Sequence, residues 1–105
     1  MSTYLLVYQG HLDPTRQPSP EEGEAIMKAW GDWIGKTGPA LRDVGAPTGD
    51  RARVGSGEPL AITGYSVVEA DSLDAAQALC EGHPFLQGAP TDFSIDVYQL
   101  EPIAM

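Results

Sequence analysis

Residues 61–85 constrain the fold more than any other stretch, because they set a strand and a fully punctuated helix end to end with no room for a linker. The run AITGYSVVEA carries β-branched and aromatic side chains at Ile62, Tyr65, Val67 and Val68, with Gly64 as its weak point. The next twelve residues, DSLDAAQALCEG, predict a helix over 72–81. Asp71 or Ser72 caps its first free amides, Asp74 puts negative charge in its first turn, and Gly82 stands where a left-handed terminating residue belongs. Pro84 then forbids continuation. Between these signals Leu73, Ala76, Leu79 and Cys80 recur at helical spacing and form a narrow apolar stripe. A strand running directly into a short helix is half of a two-layer α/β unit.

The remaining elements fall into place around that unit. At 105 residues the chain holds one domain with one modest core. Tyr4-Leu5-Leu6-Val7-Tyr8 is a first strand, apolar in both alternating sets, and 10–20 is a polar, proline-rich loop. Ser19-Pro20-Glu21-Glu22 then opens a helix with a serine cap, a proline at the first position and a glutamate three residues on. That helix runs to Thr37 and turns Ile26, Ala29, Trp30, Trp33, Ile34 and Thr37 toward a sheet, leaving Glu24, Lys28 and Asp32 in water. Gly31 and Gly35 lie on its polar side, either as tolerated surface glycines or as a place where another backbone comes close.

Ala40–Val44 is a short strand, Arg51–Val54 a second piece of the same edge, and the glycines and prolines of 45–60 make that region a turn-rich, extended hairpin. These glycines lack the Lys-Ser/Thr ending of a phosphate loop and the spacing of a dinucleotide fingerprint. The last strand, Phe93–Leu100, sets Phe93, Ile95 and Val97 toward the core and Ser94, Asp96, Tyr98 and Leu100 away from it. The order β-α-β-β-α-β predicts an α+β, ferredoxin-like domain: a four-stranded antiparallel sheet with two helices on one face. One alternating set of apolar side chains must then point away from the helices, which predicts a homodimer packed through its sheet faces.

Charge and motifs narrow the function classes. Fifteen acidic against six basic residues give a net charge of −9, with the basic residues scattered, so neither nucleic acid nor a membrane surface is an expected partner. No apolar run is long enough to cross a bilayer. The lone Cys80 allows no intrachain disulfide, and the N-terminus lacks a signal-peptide pattern, so a cytoplasmic location is expected. Cys80 itself, on an apolar stripe, reads as an inert buried thiol. No cofactor motif is present, and His11, Asp13 and His83 do not form a tight metal-ligand pattern.

Taken together, Tyr4–Tyr8, the tryptophan-bearing first helix, Gly64-Tyr65 leading into the run Val67–Ala76, and Ile95–Tyr98 make the chain resemble the YCII-related superfamily, which includes the DGPF group. The likeness covers most of the chain. It departs from the pattern at Gly55–Leu60, where DGPF members carry their name motif, and at His83-Pro84-Phe85, where other members have Asp-Pro-Phe. The resemblance implies a dimeric α+β barrel, a small-molecule pocket and, in some members, a His/Asp pair as the catalytic candidate.

In a β-α-β-β-α-β order, several loop ends share one end of the domain, and both histidines fall there. His11 and Asp13 follow the first strand, Arg51 and Arg53 lie on the hairpin, and His83 follows the second helix, whose negative end favours a protonated imidazole. These residues form a candidate acid/base cluster, with Tyr8 and Tyr65 as candidate ligand contacts. A plainer reading is equally available: His83 caps carbonyls, His11 is solvated, Asp13 turns the chain before Pro14, and the aromatics are core. Two functions follow. One is a small enzyme moving protons on a polar organic substrate, which requires a histidine and a carboxylate within hydrogen-bond reach; the other is a non-catalytic dimeric module that binds a metabolite or protein.

Overall fold

The computed structural model describes residues 2–11, 19–58, 60–86 and 93–102. Asp13 and Pro14 therefore lie outside the described residues. Strand β1 (Ser2–Gln9) is followed by helix α1 (Pro20–Thr37), a short strand β2 (Leu41–Asp43), strand β3 (Ile62–Ala70), helix α2 (Leu73–Ala78) and strand β4 (Ser94–Leu100). Single 3-10 turns occupy Gly38–Ala40 and Pro84–Leu86. The protein is thus α+β, with one four-stranded sheet in the order β2-β3-β1-β4 and every pair antiparallel. Among the described residues no helix is long and apolar enough to cross a membrane.

Helix α1 begins and ends where its sequence signals stand. The Ser19 Oγ accepts the Glu22 N–H at 3.1 Å, Pro20 is the first helical residue, and the Gly38 N–H bonds back to the Ile34 carbonyl. Helix α2 is capped by Ser72, whose Oγ accepts the Ala75 N–H. It is shorter than its sequence predicts, ending at Ala78 instead of continuing to 81. The reason lies in the backbone bonding. Cys80 and Glu81 donate to Gln77 and Ala78, three residues back, so the helix tightens into 3-10 turns before Gly82 reverses the chain at φ +67.

Register decides what each face carries. Tyr4, Leu6 and Tyr8 of β1 stand opposite Val68, Ser66 and Gly64 of β3 and opposite Gln99, Val97 and Ile95 of β4, so these side chains share one face. That face is the buried one. Tyr4, Leu6, Tyr8, Val68 and Ala70 pack with Trp33 of α1 and Ala76 of α2, and Trp30, Leu41, Leu79, Phe85, Ile95 and Val97 close around them. The docked stripe of α1 is narrower than the sequence predicts. Trp33 and Thr37 are buried and Ala29 and Trp30 half-buried, but Ile26 and Ile34 are exposed. A helix that meets a sheet through bulky indoles stands off from it, and shorter side chains at the margins then fail to reach.

The opposite face holds the rows Val67–Leu5–Tyr98, Tyr65–Val7–Asp96 and Glu69–Thr3–Leu100. Among the described residues no element covers it; Tyr98 and Leu100 are exposed, while Leu5 and Val67 are half-buried.

The second correction concerns 44–61. Arg51–Val54 is not a strand, and the described part of this region forms no hairpin. Its one pairing to the sheet is an isolated bridge between Pro47 and Gly64, supported by the Thr48 N–H to the Thr63 carbonyl. Beyond Thr48 the chain stands exposed, Val54 entirely so. Three prolines and glycines every few residues withhold the donors and extended backbone that a second edge strand requires.

Candidate functional site

The site is built where β1 ends. Tyr8, on the buried face, has its ring between α1 and the turn Pro84–Leu86. Its centroid lies 5.7 Å from Trp30 at 75° and 5.1 Å from Phe85 at 31°. Behind it His83 is completely buried, tilted against Trp33 at 4.3 Å and edge-on to Trp30 at 5.0 Å. The expectation that a residue beyond the helix stop carries little packing is thus overturned. Gly82 turns the chain inward, and the two indoles of α1 enclose the imidazole.

Four hydrogen bonds run through this buried region, and counting hydrogens fixes their direction. Ser66 Oγ donates its single hydrogen to the Val44 carbonyl at 2.7 Å. In the 2.6 Å contact between Ser66 Oγ and the Tyr8 hydroxyl, Tyr8 must therefore be the donor. The Tyr8 oxygen in turn accepts from His83 Nε2 at 3.0 Å, while His83 Nδ1 accepts the Phe85 N–H at 3.0 Å. His83 is consequently the neutral Nε2–H tautomer, with both ring nitrogens engaged. The chain runs one way, from the Phe85 amide through His83, Tyr8 and Ser66 to the Val44 carbonyl.

Burial sets the electrostatics. It lowers the His83 pKa from the usual 6.5 to about 4, against the dipole-based expectation of a protonated ring. The six-residue α2 ends five positions earlier, and its weak terminal field does not offset desolvation. The Tyr8 hydroxyl is pushed up to about 12, chiefly by burial, with the Ser66 hydrogen bond pulling the other way. Burial also raises the half-buried Cys80 thiol, in keeping with an inert role.

In front of Tyr8 opens a cavity of about 490 Å³, lined by Tyr8, Met27, Trp30, Thr63, Tyr65 and Phe85 and by the segment Val44–Pro47 with Gly64. Its wall exists because the chain after β2 bulges away from β3 and then returns. Gly45 makes the bulge at φ +76, where an added Cβ would fall 1.7 Å from the Tyr65 carbonyl oxygen. Gly64 leaves room for the returning Ala46–Pro47 backbone, whose oxygen would lie 3.0 Å from a Cβ there. Every side chain on the wall is uncharged. Asp43 stands at the rim, accepting the Gly45 N–H at 2.9 Å and the Tyr65 hydroxyl at 3.4 Å.

Of the residues singled out in the sequence, Tyr8 and Tyr65 line this cavity and His83 braces its wall from behind. Arg51 and Arg53 line a separate open depression of about 590 Å³ along 48–62. His11 is exposed beyond the end of β1 and is not among the residues lining the cavity, and Asp13 lies outside the described residues. Among the described residues no three His, Cys, Asp or Glu side chains gather as metal ligands. Sequence reasoning missed Ser66, although its signal was present: a serine sharing the inward parity of Val68 and Ala70 must find a buried partner. Nothing local marked Trp30, Phe85 or Val44–Pro47 as walls of one cavity. The sequence matches no protein-family model, and no curated protein sequence is significantly similar to it.

Proposed function

We propose that the protein is a non-catalytic module that binds a small, largely apolar organic molecule in the cavity before Tyr8. The observation carrying this reading is the closed hydrogen-bond chain. A general base needs a lone pair facing its substrate, and His83 has both nitrogens engaged inside the protein, with a hydroxyl and a backbone amide as partners and no carboxylate. The cavity falls within the size range of small-molecule sites, and its uncharged aromatic lining favours apolar contact over the polar substrate an acid/base enzyme would hold. Titrating the protein with small uncharged aromatic compounds should shift the NMR signals of the Trp30 indole N–H and of the Gly45 and Gly64 amides. Shifts centred instead on His11, Arg51 and Arg53 would return the site to the acid/base cluster.

The strand order, with the helices contributing Trp33 and Ala76 to one buried face, supports a ferredoxin-like arrangement, and the open apolar face supports pairing as in the dimeric α+β barrels of YCII-related proteins. A second copy placed face to face buries Leu5, Val67, Tyr98 and Leu100. Sedimentation at micromolar concentration should give twice the 11.2 kDa chain mass. Leu5→Lys, at the centre of the face, should yield the monomer, because two desolvated ammonium groups would meet across the two-fold axis. A wild-type chain sedimenting as a monomer would refute the pairing.

A further inference from the structure

The cavity's rings and the protein's charge together point to a ligand class narrower than "apolar", and this inference rests on the pocket reading above. Trp30 stands nearly perpendicular to Tyr8, at 75°, and Phe85 lies tilted beside Tyr8, at 31°, so three rings form a corner rather than a flat wall. Tyr65 is a fourth aromatic on the lining. Aromatic faces carry negative potential, and a corner of them attracts a cation whose charge is spread over methyl groups and costs little to desolvate.

Three charge observations select among possible occupants. No lining side chain bears a charge that would repel a cation or pair with an anion. The nearest fixed charge tied to the lining is the Asp43 carboxylate, held at the rim by the Gly45 amide and the Tyr65 hydroxyl. The whole molecule carries −9, which raises the local concentration of cations and lowers that of anions. A neutral molecule gains nothing from any of these features, and an anion is disfavoured by two of them. We infer that the cavity receives a small alkylated ammonium ion, its methyl groups against Tyr8, Trp30 and Phe85 and its charge within reach of the Asp43 field.

The test compares three probes of nearly one shape: choline, dimethylbutanol with carbon in place of the nitrogen, and the corresponding dimethylbutyrate anion. Binding is read by NMR from the Trp30 indole N–H and the Gly45 and Gly64 amides. Choline should bind about ten-fold more tightly than dimethylbutanol, with dimethylbutyrate the weakest of the three. Asp43→Asn keeps an acceptor for the Gly45 amide and should reduce the choline preference several-fold. Trp30→Phe should retain most of that preference, while Trp30→Leu should lose it. If dimethylbutanol binds as well as choline, the cation inference fails and the pocket reading stands. If none of the three moves these signals, both fail.

Discussion

Replacing His83 by Ala should lower stability by about 4 kcal/mol and the melting temperature by roughly 20 °C. Two losses add. The imidazole is fully buried between Trp33, Trp30 and Tyr8, so its removal leaves a cavity walled by rigid rings that cannot collapse into it. The Phe85 amide also loses the Nδ1 acceptor that satisfies it. Differential scanning calorimetry measures the shift. A small fall combined with lost ligand binding would mean that the ring acts on a ligand and not as a strut.

The second large effect is acid lability in an unusual range. His83 titrates near 4 in the folded protein and near 6.5 when unfolded, so between these values the unfolded chain binds the extra proton. Its contribution is complete above pH 6.5, declines as pH falls toward 4 and levels off below that. The difference amounts to about 3 kcal/mol. Tyr8 mirrors it on the alkaline side, since its raised pKa means stability is lost as pH climbs from 10 toward 12. Urea midpoints at pH 7 and pH 4.5 report the acid limb. An imidazole signal that titrates near 6.5 in the folded protein would refute the assignment.

How much of this was legible in the sequence depends on how far apart the deciding atoms lie. Ser19-Pro20-Glu21-Glu22 started α1 on the residue expected, because a cap is settled by atoms three positions apart. The inward parity of Ile95 and Val97 was equally local, being a property of alternation. The shortening of α2 was not legible, since the switch to three-residue bonding leaves no compositional mark. The role of His83 was hidden for a different reason. Its surroundings come from indoles fifty or more residues earlier, and the desolvation they impose outweighs the helix-end field on which the sequence argument relied. The cavity was invisible because its wall is a bulge, and nothing in Asp43–Thr48 states where the chain rejoins β3.

The one-way hydrogen-bond chain also bears on the order of assembly. Its links join residues 75, 58 and 22 positions apart, drawing on the first strand, the third, the loop before it and the turn after the second helix. Such long closures carry their entropic cost before any contact repays it, so they belong to the late, native side of folding. No fragment ending before Phe85 contains the whole set. During synthesis the cavity wall therefore stays unbraced until the C-terminal third has emerged, and binding competence arrives with the last quarter of the chain rather than growing along with it.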